Sequence, residues 1–230
     1  MKAFILTGGF GKRLKPITDY VPKSLVPINN IPIIEWQIRY FKKFGIKNFV
    51  ICSGYKNEQI KDYLEARKNL GAKIQYSIEK TPLGTGGALK NASRFINESN
   101  FFVMNGDVIT DLDLKRLQSK PNSVASIPLR TSFGIVDILD DKITRFHEKP
   151  IISDYWMNAG LYFLSKEIIK YLPKKGNIEQ STFPLFATKG KLSVVKYSKA
   201  FWYSVDSHKD IEECSHNIIA RHYDDFIFKK

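Results

Sequence analysis

The chain has 230 residues, 43% of them hydrophobic and 13% aromatic, which is enough apolar material for one large globular core without disulfides or a structural metal. Two cysteines, Cys52 and Cys214, are too few for a disulfide framework, and no apolar run reaches the roughly 18 residues that a membrane-spanning helix needs. The net charge of +13 fits either a nucleic-acid binder or solvated lysines around an anion pocket; the basic residues are scattered and no nucleic-acid module is present, so neither a nucleic-acid nor a membrane partner is expected. The N-terminus, MKAFILTGGFGKRL, turns glycine-rich too early for a signal peptide, which predicts a cytoplasmic protein.

In chain order, Lys2–Thr7 is a short apolar run ending in glycines and predicts a buried parallel strand. Ile34–Phe44 has apolar residues at helical spacing and stops at Gly45, which predicts a helix with a glycine C-cap. Asn48–Cys52 reads as a strand, Glu58–Arg67 as a helix, Lys73–Ile78 as a strand, Gly86–Phe95 as a helix and Asn100–Asn105 as a strand. This alternation predicts a doubly wound α/β sheet, Rossmann-like and flanked by helices, with ligands outside the carboxyl ends of the strands. Beyond it, Val124–Pro128, Ile135–Leu139, Ile143–His147, Asn158–Leu164 and Leu192–Tyr197 read as strands of a mixed extension of the same sheet. That extension is expected to form the pocket of a second substrate. Lys209–His222 reads as a closing amphipathic helix. No linker, repeat or low-complexity segment divides the chain, so one domain over 1–230 is expected.

The strongest local signal follows the first strand: Thr7-Gly8-Gly9-Phe10-Gly11-Lys12-Arg13-Leu14. Clustered glycines let backbone N–H groups approach a phosphate chain without interference from Cβ. The stretch is neither a Walker A loop nor a good dinucleotide fingerprint, because Leu14 stands where a third glycine belongs. On the glycines alone, a plain structural turn reads equally well.

The residues after the glycines change that balance. Arg13, Pro16, Thr18, Pro22-Lys23-Ser24-Leu25 and Pro27 occur in the order GGxGxRLxPxT…PKxLxPI. Gly54-Tyr55, Pro82-Leu83-Gly84-Thr85-Gly86-Gly87-Ala88, Asn105-Gly106-Asp107, Phe133-Gly134-Ile135-Val136, Glu148-Lys149-Pro150 and Asn158-Ala159-Gly160 follow. The whole series resembles the sugar-phosphate nucleotidyltransferases, which make nucleotide sugars from a nucleoside triphosphate and a sugar 1-phosphate. The resemblance implies a glycosyltransferase-A-like α/β domain, here without the C-terminal β-helix that many members carry, and with transfer as its only activity. It further implies a magnesium cofactor. Nucleotide contacts are implied for Leu6, Gly8, Gly9, Gly11, Arg13, Lys23, Glu79, Pro82, Gly84, Thr85 and Asp107. Sugar-phosphate contacts are implied for Gly134, Glu148, Lys149, Asn158 and Trp202. Arg13, Lys23, Asp107 and Lys149 form the implied catalytic set. A homo-oligomer is compatible with the sequence.

The chemistry explains the residue types. A phosphate monoester is largely ionised near neutrality, its second pKa being about 6, so its attack on the α-phosphorus needs no general base. The obstacle is repulsion between anions, which cations and positioning overcome. Asp107 is the implied first metal ligand. The second is open between two positions of Trp202-Tyr203-Ser204-Val205-Asp206-Ser207: serine stands at 204 where many members carry aspartate, and Asp206 is nominated instead. Glu79 occupies a place where thymidylyl- and uridylyltransferases typically have glutamine. An ionised glutamate only accepts hydrogen bonds, matching the adjacent N1–H and N2 amino group of guanine. GTP and mannose or heptose 1-phosphate are therefore the favoured pair, with a UTP- or dTTP-dependent glucose-1-phosphate transferase as the alternative. An inactive homologue that binds a nucleotide sugar and regulates a partner is the alternative of another class.

Overall fold

The apolar run Lys2–Leu6 forms β1, from which the glycine-rich loop leads through the single 3-10 turn Lys12–Leu14 to helix α1, Ile17–Tyr20. A second such turn, Lys23–Leu25, precedes a small ladder of β2 (Pro27–Ile28) with β3 (Ile31–Pro32). Then come α2 (Ile33–Lys43), β4 (Asn48–Ser53), α3 (Asn57–Ala66), β5 (Lys73–Ile78), α4 (Gly84–Asn91) and β6 (Asn100–Asn105), each within a few residues of its predicted place. Gly45 takes φ 79° just past α2, where the sequence predicts the glycine cap, and its N–H donates to Lys42 O at 3.0 Å. The remainder comprises β7 (Val108–Thr110), α5 (Leu114–Leu117), β8 (Ser123–Arg130), β9 (Ile135–Leu139) and β10 (Lys142–His147). It ends with β11 (Ile151–Ser165), α6 (Thr182–Thr188), β12 (Ser193–Lys196), β13 (Trp202–Ser204), α7 (His208–Ala220) and α8 (Tyr223–Phe228). This computed structural model describes residues 1–131 and 133–229; Lys230 lies outside them.

Seven strands form one sheet in the order β12-β8-β11-β6-β1-β4-β5. β5, β4, β1 and β6 are mutually parallel, and β11 alone runs against its neighbours, between β6 and β8. Both faces are covered, so the central strands are apolar throughout. On one face Ala3, Ile5, Phe49, Ile51, Phe102 and Met104 pack with Ile34, Trp36 and Phe41 of α2 and with Tyr223 and Ile227 of α8. On the other, Phe4, Val50, Phe101, Val103 and Tyr162 pack with Ala88 and Leu89 of α4 and with Phe183 and Phe186 of α6. No helix among the described residues is long and apolar enough to cross a membrane.

Three features of the second half depart from expectation. β9 and β10 do not extend the sheet. They pair only with each other, closed by Asp140 and Asp141 with φ 46° and 61°, the left-handed pair of a two-residue hairpin turn. The expected closing helix is α7, but the chain does not end on it: His222 enters the left-handed region with φ 51° and a further helix, α8, follows that carries no prediction. α6 falls in a stretch that carries no helix prediction; Ser181 starts it and its apolar side buries Phe183 and Phe186.

Candidate active site

The site lies at the carboxyl ends of β1 and β6, in the middle of the seven-stranded sheet, where a doubly wound fold leaves a crevice. Gly106 follows β6, and its N–H donates to Leu6 O at 2.9 Å. A methyl group there would stand 2.4 Å from the same oxygen, so only glycine lets the β6 end pass this close to β1. Asp107 comes next and projects into the crevice.

The second carboxylate arrives by strand register. β13 pairs antiparallel with β7, Ser204 lying opposite Val108, and the ladder continues with Val205 N–H donating to Asp107 O at 2.9 Å. Asp206 is thereby set beside Asp107. Its own N–H donates to Asp210 Oδ2 at 2.9 Å, part of the capping box that Ser207 and Asp210 build at the start of α7. Ser204 donates its hydroxyl to Asp206 Oδ2 at 3.2 Å. The geometry therefore distinguishes the two nominated positions: Asp206 faces Asp107, and Ser204 supports it.

Lys23 bridges the pair, its Nζ 2.7 Å from Asp107 Oδ2 and 2.7 Å from Asp206 Oδ1. Arg13 reaches Asp206 Oδ1 at 2.8 Å from the mouth, its side chain 74% exposed against 15% for Lys23. Burial would raise the Asp206 pKa, but Lys23 and Arg13 outweigh it and hold the carboxyl below its usual value. The ammonium shows that both carboxylates can converge on one cation. Among the described residues no group of three or more His, Cys, Asp or Glu gathers to hold a metal. Two hard carboxylate oxygens in a half-open crevice suit magnesium, which keeps waters and takes phosphate oxygens for its other positions.

Two cavities meet here. One, about 230 Å³, is lined by Leu6, Gly9, Gly11, Arg13, Lys23, Asp107 and Asp206 and, beyond the expected set, by Thr7, Lys12, Ser24 and Gly106. The other, about 290 Å³, shares Leu6, Gly9, Gly106 and Asp107 and continues to Gly8, Glu79, Pro82, Gly84 and Thr85. All the residues expected at the nucleotide thus line one continuous crevice. Glu79 fits against bare backbone: a methyl group on Gly8 would lie 2.1 Å from its Oε1, and one on Gly54 2.7 Å from its Cγ. Burial raises its pKa, partly offset by the Leu83 N–H, which donates to Oε2 at 3.3 Å. Phe10, Asn105 and Asn177 also line this cavity and were not expected. Asn105 could have been found from its place in Asn105-Gly106-Asp107; Asn177 has no local signal.

The residues expected at the sugar phosphate are not gathered in the same way. Gly134, Glu148 and Lys149 flank the β9–β10 hairpin, and among the described residues Lys149 pairs only with Glu148, at 3.5 Å. None of the three lines the crevice. Asn158 sits on β11 with its amide already engaged: Oδ1 accepts from Gly160 N at 2.9 Å, and Nδ2 donates to the Tyr162 hydroxyl at 2.8 Å. Trp202 braces this stretch by donating Nε1–H to Ala159 O at 2.8 Å.

A crevice that pairs cations with carboxylates beside a glycine-rich loop is suited to a polyphosphate and its counter-ion. The family model for nucleotidyl transferases matches residues 2–221, and the chain belongs to that family. The D-glycero-α-D-manno-heptose 1-phosphate guanylyltransferase of Campylobacter jejuni is 39% identical over 173 residues, which cover 73% of this chain and 77% of that protein. The enzyme of the same description from Aneurinibacillus thermoaerophilus is 36% identical over 190 residues, covering 78% and 82%. The crystal structure of HddC from Yersinia pseudotuberculosis complexed with GMP-PN superposes with a TM-score of 0.73 at 28% identity, covering 94% of this chain and 99% of that one.

Proposed function

We propose that the protein transfers a guanylyl group from GTP to a sugar 1-phosphate of manno configuration, heptose or mannose, releasing pyrophosphate and forming a GDP-sugar. The observation that carries the guanine assignment is Glu79, a carboxylate in the nucleotide crevice beside the phosphate loop, able to accept from two adjacent donors of one base. The guanylyltransferases named above support the same pair of substrates. Since the reaction consumes a nucleoside triphosphate and a phosphorylated sugar, we place it in the cytoplasm.

In this reading an oxygen of the sugar phosphate forms a bond to the α-phosphorus, and the bond to the bridging oxygen of pyrophosphate breaks in line with it. The electron pair leaves with pyrophosphate. No protein base takes a proton, because the attacking monoester is already ionised. Arg13 and Lys23 bind the triphosphate and take up the charge that gathers on the leaving group. The loop from Gly8 to Gly11 lies along the phosphates with its backbone. Asp107 and Asp206 would hold magnesium, which supplies charge neutralisation to the phosphates. Lys149 and Glu148, carried by the hairpin, hold the phosphate and a hydroxyl of the sugar.

Mixing the protein and magnesium with each NTP and a panel of sugar 1-phosphates should release pyrophosphate, with GTP and the manno sugars preferred. No turnover with any pair defeats the proposal. Glu79→Gln should lower kcat/KM for GTP relative to UTP about ten- to a hundredfold, since an amide N–H₂ then opposes a guanine donor and leaves it unpaired at a cost of about 1–3 kcal/mol. A wild type that already prefers UTP or dTTP overturns the guanine assignment and leaves nucleotidyl transfer in place.

A further inference from the structure

Two residues expected to touch substrates, Thr85 and Asn158, turn their side-chain polar atoms inward instead, and both toward the same pair. Thr85, in the first turn of α4, donates its hydroxyl to Glu179 Oε2 at 2.5 Å and accepts from Ile178 N at 3.0 Å. Tyr162, on β11, donates its hydroxyl to Glu179 Oε1 at 3.0 Å while accepting from Asn158 Nδ2 at 2.8 Å. Asn158 in turn accepts from Gly160 N. The bonds from Gly160, Asn158 and Tyr162 all point one way and end on the Glu179 carboxylate, an arrangement in which each bond polarises and strengthens the next. Among the described residues Glu179 has no cationic partner within ion-pair distance. Two hydroxyls hold it.

Tyr162 is wholly buried among Phe101, Val103 and Phe183, a site where phenylalanine would pack equally well and carry no hydroxyl to satisfy. What the hydroxyl adds is a link between two substrate-side pieces. The nucleotide piece is further seated on the segment before Glu179, because Gly86 and Gly87 N–H both donate to Gly176 O, at 3.0 and 3.1 Å. The sugar-side piece abuts the strand end that carries Asp107: a methyl group on Gly160 would stand 2.9 Å from Asn105 Nδ2.

Resting on the proposed two-substrate reaction, we propose that Tyr162 and Glu179 are positioning residues, a buried clasp that fixes the nucleotide loop at Thr85 against the sugar strand at Asn158 and so sets the approach of one substrate to the other. They touch neither substrate. Reactions between two bound partners lose about a hundredfold when the partners are misplaced by an ångström. Loosening the clasp should therefore appear in kcat and not in the affinity for either substrate alone.

The test pairs kinetics with a measurement that needs no turnover. Tyr162→Phe and Glu179→Gln should each lower kcat about ten- to a hundredfold, with both KM values within about threefold of wild type. Since the two residues act as one device, the double variant should be no slower than the slower single variant. Hydrogen exchange on the protein without substrates should show the Gly86 and Gly87 amides opening about tenfold more readily in either variant, with the β4 amides unchanged. Glu179→Gln serves alone if Tyr162→Phe does not fold. Multiplicative losses in the double variant, or losses confined to KM, overturn the clasp. Unchanged exchange at Gly86 and Gly87 also overturns it. If no substrate pair reacts, the proposed function fails while the exchange measurement still decides the clasp.

Discussion

The two sides of the crevice are built differently. The nucleotide side is made of backbone held by the sheet: strand ends in fixed register, glycines at points of closest approach, and Lys23 and Asp206 each anchored by two or more partners. The sugar side hangs on a hairpin whose apolar residues face outward, Ile138 being 66% and Phe146 65% exposed. A two-stranded hairpin gains little stability by itself. Its register, with Ile138 opposite Ile143 and Val136 opposite Phe146, sets these four apolar side chains on one face, where Ile138, Ile143 and Phe146 are exposed. On the proposed function, rigid positioning is concentrated where the phosphates and magnesium would sit, and recognition of the sugar is left to a lightly supported element.

The largest expected effect breaks the rigid side. Asp107→Ala should lower kcat about a thousandfold or more, by loss of the implied magnesium ligand, with Tm changed by only a few degrees. The fold tolerates the change because the carboxylate is partly exposed and Lys23 keeps Asp206 as its partner. Lys149→Ala probes the other side. Steady-state kinetics should show the KM for the sugar phosphate rising about ten- to a hundredfold, as befits one lost charge-assisted contact, with the KM for GTP unchanged.

A smaller effect comes from pH. Burial raises the Glu79 pKa, so its carboxyl takes a proton at a higher pH than an ordinary glutamate. The protonated form presents a donor to guanine, so the ratio of kcat/KM for GTP to that for UTP should fall on acidification; in Glu79→Gln the ratio should stay flat. Taking a ratio removes the titration of the sugar phosphate, common to both nucleotides. The same shift has a sign for stability: the fold favours neutral Glu79, so this group's contribution is lost as pH rises through its raised pKa. Glu79→Gln should then be no less stable than wild type at neutral pH, by denaturant titration. The smallest effect is on the hairpin, where Ile138→Ser should change stability by no more than about 0.5 kcal/mol, because the side chain it removes is already in water.

The parallel block was legible in the sequence because β1, β4, β5 and β6 are short apolar runs, each closed by a local signal. The residues that line the candidate phosphate side were legible for the same reason: Gly8 to Arg13, Lys23 and Asp107 each lie in a contiguous motif. Asp206 could be nominated but not placed, since its position depends on β13 pairing with β7, nearly a hundred residues away. Tyr162 and Glu179 left no trace at all. One sits in an apolar strand and the other in a single 3-10 turn, Ile178–Gln180, and only the fold brings their oxygens together. The hairpin was found as two strands and misplaced, because alternation along a strand does not say which sheet it joins.

Lys23 lies 84 residues from Asp107 and 183 from Asp206, yet all three meet at a single ammonium. Contacts so distant along the chain form only after the loops between them have closed, and long closures come late in folding. On a ribosome the parallel block, complete by Asn105, can assemble while Asp206 is still unsynthesised. The growing protein then carries a phosphate loop and one carboxylate, but not the pair. Its charged centre is a late event in its own biogenesis, completed only when β13 docks on β7.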